Sequence, residues 1–321
     1  MKIDCLSYFN PIIHGGGGEM ITRALIEAGR RRGHTICLRS IRPRVDEGTG
    51  QADLYWLVDV FNFPQTLKSR GAWLRFTPDL LEDIVDNRPF IHMSNAYVDV
   101  CNLGHLPCSG HSQARCAYKS PLHLVHNLAL RDFGQQCFAL DPLVRKLFAK
   151  SALNVYLSPL HQRTIEGILG EDRGRVSFVL KPTIDGTVFY NQRRERDIDY
   201  LFVGVIGEAK GLAAMRERFR GANIHFVGKI VPGEKLDFGT WHGSVPYSEI
   251  PNFMNRAKHF VFLPRWPEPQ GRVVTEAALC GCQLITNGNV GATSFPFDIG
   301  NPANFARAND EFWDTIEQLR P

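Results

Sequence analysis

His259-Phe-Val-Phe-Leu-Pro264, then Arg265-Trp-Pro-Glu268-Pro-Gln-Gly271-Arg272, then Val-Val-Thr-Glu276-Ala-Ala-Leu-Cys-Gly281, is the stretch that decides the fold. The apolar run Phe260 to Leu263 reads as a strand, which Pro264 and Pro267 break, and Gly271 to Cys280 reads as a helix stopped by Gly281. Glu268 then falls in the loop at the carboxyl end of a strand, where open α/β sheets bind their ligands. Glu276 falls in the following helix, seven residues intervening. Backbone N–H groups of the first helical turn lie between the two and suit an anion.

The same strand, glycine turn and helix open each half of the chain. Lys2 to Phe9 reads as a strand, Asn10 to Gly18 as a loop, Glu19 to Arg32 as a helix with Ile21, Ala24, Leu25 and Ala28 on one face, and His34 to Leu38 as a strand. Gly15 to Gly18 put a run without side chains just before a helix, where backbone can approach phosphate or a sugar's oxygens. The run has neither the Gly-x-Gly-x-x-Gly spacing nor a Gly-Lys-Ser/Thr ending. Further on, Tyr200 to Val205 reads as a strand, Ile206 to Gly211 as a turn, Leu212 to Phe219 as a helix and Ile224 to Val227 as a strand. Two such starts predict two Rossmann-like domains, 1–185 and 186–321, joined near Lys181 to Phe189, with the ligand in a cleft between them.

A chain of 321 residues, 44% hydrophobic, can bury two cores of this size. Its net charge of +4 demands no acidic polymer as partner, although a basic balance permits nucleic acid or an anionic membrane surface. The start Met-Lys-Ile-Asp-Cys-Leu has no apolar signal region, and no stretch of about 18 apolar residues follows. The expectation is a cytoplasmic protein with no transmembrane segment, peripheral attachment at the inner membrane surface remaining open. Eight cysteines without a secretory signal read as thiols or metal ligands. Cys101, Cys108, Cys116 and Cys137, with His105 and His111 nearby, could hold a structural zinc or an iron-sulfur centre, although their spacing is that of neither a zinc ribbon nor a finger. Free thiols in a loop facing the acceptor are the other reading.

Pro264, Glu268, Gly271, Glu276 and Gly281 resemble the Glu-x7-Glu signature of retaining glycosyltransferases of the GT-B fold, the family 4-like group in particular. The Pro11 to Glu19 loop with Arg32-Gly-His34, the Pro182 to Phe189 hinge, Phe202-Val-Gly204 with Lys210-Gly211, and His242 to Pro246 with Ile250 are similar to further segments of that family in the same order. The resemblance implies an α/β fold of two Rossmann-like domains facing each other across a cleft, the N-terminal one for an acceptor and the C-terminal one for a UDP- or GDP-linked sugar. It implies that Glu276 takes the ribose hydroxyls, that Glu268 positions the sugar, and that Lys210, Gly17, Gly18 and Gly271 contact the donor, with no cofactor required for catalysis.

Two positions depart from the family. Val205 stands where the family carries the arginine that partners the lysine, and Arg265 and Arg272 are candidates to supply the missing guanidinium. Asn95 stands where a catalytic histidine is expected, with His92 three residues earlier, so the catalytic candidates are Glu268, His92 and Asn95. These departures motivate an alternative, a catalytically silent GT-B module that binds a sugar nucleotide or glycan. The acceptor could be a glycan or lipid-linked, and a modified nucleic acid is a further alternative. Such chains usually run past a helix like Asp310 to Leu319 into further helices that return to the first domain.

Overall fold

The computed structural model describes residues 1–13, 15–48, 51–60, 78–101, 104, 106, 138–170 and 175–319. The chain divides into two units: Met1–Leu157 with Gln162–Leu180 and Ala308–Pro321, and Ser158–His161 with Lys181–Arg307.

The first unit is built on strands β1 (Lys2–Phe9), β2 (Thr35–Arg42), β3 (Val45–Asp46), β4 (Leu54–Val58), β5 (Phe90–Met93), β6 (Asn154–Tyr156) and β7 (Ser177–Val179). They lie in the order β3-β2-β1-β4-β5-β6-β7, parallel throughout except for the β2–β3 pair. Neighbouring residues of a strand point to opposite faces, so Cys5 and Trp56 enter one core with Ile21 and Leu25, while Leu6 and Leu57 enter the other with Tyr97 and Phe148. A sheet covered on both faces requires such near-continuous apolar strands. The helices are α1 (Gly17–Arg31), α2 (Pro78–Asn87), α3 (Pro142–Lys150) and α4 (Pro159–Leu169). Gly33, at φ +87°, ends α1 and turns the chain into β2.

The second unit carries β8 (Ile198–Val203), β9 (Ile224–Val227), β10 (Thr240–Trp241), β11 (Ala257–Phe262) and β12 (Gln283–Thr286), all parallel, in the order β10-β9-β8-β11-β12. Its helices are α5 (Leu212–Phe219), α6 (Ile250–Arg256) and α7 (Arg272–Leu279). Both sheets reverse their winding direction at one place, between β1 and β4 and between β8 and β11. Such switch points are where doubly wound sheets leave a crevice for ligands.

The last helix, α8 (Ala308–Gln318), departs from the expected division at residue 185: it belongs to the first unit. Trp313 is the reason. Its indole is 1% exposed, meets Trp56 and Phe312 edge-on, and donates from Nε1 to the Leu25 carbonyl at 2.9 Å. It packs on Gly29 of α1, where a Cβ would stand 2.2 Å from the Trp313 ring. Helix α8 itself therefore makes the return to the first unit that the sequence reading assigned to helices beyond it. The sequence also gives no sign that residues 158–161 group with the second unit.

Candidate functional site

At the switch point of the second unit, the chain leaves β8 through Gly204 and forms a single tight turn at Glu208–Lys210 before α5. Gly211 closes that turn at φ +88°, with the Leu263 carbonyl oxygen only 1.9 Å from the place a Cβ would occupy. No side chain fits there, and this close approach brings Lys210 beside the loop that follows β11. Lys210 Nζ forms an ion pair with Glu268 Oε2 and lies 5.7 Å from the centre of the Phe262 ring.

The Glu268 loop is held from its far side. Glu268 N–H donates to the Asn289 carbonyl at 2.7 Å, and the Gly291 N–H donates to the Glu268 carbonyl at 3.0 Å. Asn287 and Asn289 side chains donate to the Pro264 carbonyl at 2.9 and 3.1 Å. Gly271, at φ +72°, then starts α7 in the left-handed region, the conformation that favours glycine. Arg265 is more than half exposed, 3.4 Å from Glu208 and over its neighbour Trp266.

One turn into α7, Glu276 is only 3% exposed. Its Oε1 accepts from the Tyr247 hydroxyl at 2.6 Å and from Arg272 Nε at 2.8 Å. Arg272 also donates from Nη1 to the Thr183 carbonyl at 3.0 Å and from Nη2 to Tyr247 Oη at 3.3 Å. Burial raises the Glu276 carboxyl above its ordinary range, and the two donors offset that only in part. Burial and the Glu276 carboxylate together raise the Tyr247 phenol. Burial pulls Arg272 the other way, but the carboxylate and the phenol outweigh it, and its pKa is raised. A buried charge is stable only when paired and hydrogen-bonded, and this trio meets that condition.

Lys210, Glu268, Arg265, Gly271, Arg272 and Glu276 are thus gathered around two neighbouring loops of one unit. Lys210 pairs with an acid, Arg272 serves Glu276, and Val205 is half exposed. Tyr247, which the sequence reading passed over, is part of the site. Its signal was its place directly after Pro246, next to the His242 to Pro246 segment that resembles the family.

The N-terminal candidates belong to the first unit. His92, 1% exposed, sits inside β5 with Nε2 2.9 Å from Asp99 Oδ2 and its ring edge-on to Phe148. Its contacts are those of a core residue. Asn95 is partly exposed after β5 and donates from Nδ2 to Thr22 Oγ1 at 3.0 Å. Gly17 opens α1, and Gly18 packs on Asn95, where a Cβ would come within 2.6 Å of the Asn95 Cβ. Cys101 is buried, whereas Cys108, Cys116 and Cys137 lie outside the described residues. Among the described residues no three His, Cys, Asp or Glu side chains form a metal-binding group, and no helix is long and apolar enough to cross a membrane.

Two mainly parallel sheets, each wound in both directions from a strand that feeds a glycine turn, are consistent with the GT-B architecture of glycosyltransferases. No protein-family profile matches the chain, and no curated protein sequence does. Solved structures carry the likeness. Sucrose-phosphate synthase from Thermosynechococcus elongatus superposes with a TM-score of 0.61 at 13% identity, over 99% of this chain and 91% of that one. Anabaena HepE, in complex with UDP and glucose, gives 0.55 at 14% identity, over 100% and 92%. AviGT4, a glycosyltransferase involved in avilamycin A biosynthesis, gives 0.52 at 14% identity, over 99% and 97%. At such identities the likeness establishes the GT-B fold and leaves substrates to the site itself.

Proposed function

We propose that this protein is a retaining glycosyltransferase that moves a sugar from a UDP- or GDP-linked donor to an acceptor hydroxyl. The observation that carries the reading is the pairing of Lys210 with Glu268 and of Arg272 and Tyr247 with Glu276 at the switch point of the second unit. In this reading the Glu276 carboxylate takes the two ribose hydroxyls, since one carboxylate accepts two such bonds. Lys210, with Arg265, meets the diphosphate and stabilises the charge that develops as it departs, so that no metal is needed. Glu268, released from Lys210, holds hydroxyls of the donor sugar. HepE, of the same fold, is a protein crystallised with UDP and with glucose, and its ligands support this choice of donor.

A thermal-shift panel of UDP, GDP, ADP and their glucose or mannose conjugates tests the reading. One nucleoside diphosphate is expected to raise the melting temperature of the wild type and to do so much less for Glu276→Gln. A response unchanged in that variant removes Glu276 from the ribose role, and no response to any nucleotide overturns the function. The anomeric configuration of the first product, read by proton NMR, tests retention. A second reading, a module that binds the donor without transferring its sugar, is favoured by Val205 at the expected arginine position and by the burial of His92. Release of free nucleotide in the presence of acceptor mixtures decides between them.

A further inference from the structure

Two imidazoles outside the proposed site face each other at the edge of the second sheet. His225 is the second residue of β9, and His242 directly follows β10, the strand that ends the sheet. Thr240 pairs in register with His225, and the His242 N–H donates to the Phe226 carbonyl at 2.9 Å, so the backbone fixes where both side chains start. His225 Nδ1 then lies 2.9 Å from His242 Nε2, with 32° between the ring planes.

The tautomer of His225 is set from behind. Asn223 donates from Nδ2 to the Asp197 carbonyl at 3.1 Å, which orients its amide with Oδ1 toward His225 Nε2, 2.9 Å away. An amide oxygen only accepts, so in the neutral ring Nε2 carries the proton and Nδ1 keeps a lone pair aimed at His242. A histidine that ligates a metal commonly donates its other N–H to such an oxygen, which holds tautomer and ring orientation together.

His242 donates from Nε2 to that lone pair. Its side chain is exposed, with the Phe253 ring centre 4.9 Å from its own, and the ring is free to tilt on the solvent side. Burial, the largest cause in each ring, lowers both pKa values, so both imidazoles are neutral at pH 7 and competent as ligands. Charge nearby is balanced, because Arg256 pairs with Asp197 and Lys258 with Asp199.

We propose that His225 Nδ1 and His242 Nε2 chelate a divalent transition-metal ion that favours right-angled ligands, copper(II) or nickel(II). Two nitrogens each about 2.0–2.1 Å from such an ion stand about 2.8–3.0 Å apart, whereas at a tetrahedral zinc they stand about 3.3–3.4 Å apart. The 2.9 Å separation of the pair matches the first geometry. Tilting of the rings turns both lone pairs toward one point. Two waters leave the ion as the two nitrogen–metal bonds form, and the His242 proton passes through solvent from Nε2 to Nδ1, so none is released. Water fills the other coordination positions. The ion ties β10 to β9 and binds the folded chain in preference to the unfolded one, where nothing brings the two histidines together. The chelate is independent of the transferase reading, in which neither histidine has a role.

The test uses the untagged full chain, freed of metal by a chelator, with nickel, copper, zinc and magnesium chlorides as probes. Nickel against zinc reads the geometry, because copper leads at almost any nitrogen site. Calorimetry is expected to show one nickel ion per chain, zinc weaker by about tenfold or more, and no magnesium. Pulsed EPR of the copper form is expected to show two imidazole nitrogens coupled to the ion. His242→Gln and His225→Gln each remove one ligand and should weaken nickel by about tenfold or more, with the circular dichroism of the fold unchanged. Nickel binding unaltered in either folded variant, zinc bound as tightly as nickel, a single coupled imidazole, or no binding of nickel and copper overturns the proposal.

Discussion

Replacing Tyr247 with phenylalanine should tighten nucleotide binding. The Tyr247 hydroxyl occupies Glu276 Oε1 at 2.6 Å, where the proposed function puts a ribose hydroxyl, so the nucleotide has to break that bond before it can bind. A hydrogen bond to a charged group contributes about 1.5–3 kcal/mol. The displaced phenol recovers part of this from water, because Tyr247 is 41% exposed. A net cost of about 1 kcal/mol to the wild-type complex remains, and removing it tightens binding about fivefold. Phenylalanine keeps the ring beside Phe189, whose centre is 5.4 Å away, so the change is confined to the hydroxyl.

Calorimetry with UDP and uridine is the assay, with 2′-deoxy-UDP as the control. UDP and uridine should gain equally, since the diphosphate is not involved, and the deoxy analogue should gain less. Without ligand the variant should melt slightly earlier, as the buried carboxylate loses one of its two donors. An unchanged or lower UDP affinity in a folded variant would refute the reasoning, because the ribose would then not be competing for Glu276.

Lys210→Ala should leave the fold within about 1 kcal/mol of wild type, since its ion pair is partly exposed, yet weaken UDP about 10- to 100-fold while sparing uridine; equal loss for both ligands in calorimetry would exclude a diphosphate role. Gly211→Ala should cost at least about 2 kcal/mol in urea unfolding, from the left-handed backbone and the collision with the Leu263 carbonyl; a neutral effect would mean that the Lys210 turn is placed otherwise. Trp313→Ala should cost about 3–5 kcal/mol and expose α8 to proteolysis. On the far edge of the second sheet, His242 Nε2 lies 2.9 Å from His225 Nδ1. Burial first, then His242 and Arg256, lower the pKa of His225, and burial, then Arg256, lowers that of His242. Between these lowered values and the ordinary one the unfolded chain binds more protons, so stability should fall as pH drops below about 6.5 and then level off. His242→Gln should flatten that slope in pH-dependent urea unfolding.

The strands and turns were legible where local pattern decides them. Ile224 to Val227 and Leu212 to Phe219 form the expected elements, and Glu268 and Lys210 do lie in loops at strand ends. What local pattern could not supply was partnership across the chain. Helix α8 is amphipathic wherever it docks, and only the contact of Trp313 with Gly29 reveals its unit. The place of Glu276 in a helix and in the signature was legible, but its burial and its bonds to Tyr247 and Arg272 were not. His92 resembles a site residue by type and is a core residue by its bond to Asp99.

The two switch points share their backbone and differ in charge. Each places a glycine turn before a helix, and each helix start carries the equivalent of about half a positive charge, which by itself would favour an anion at both. In the second unit the side chains add to that field: Lys210 and Arg265 stand at the loops, and each is paired with a single partly exposed carboxylate. In the first unit no Lys or Arg lines the crevice; Glu19 and Asp59 do, and burial with the nearby Asp99 raises the Asp59 carboxyl well above its ordinary range. The glycine run at 15–18, read from sequence as a place for phosphate or a sugar's oxygens, leads directly into Glu19, which lines that crevice. Side chains, and not the shared fold, make the two switch points different in charge.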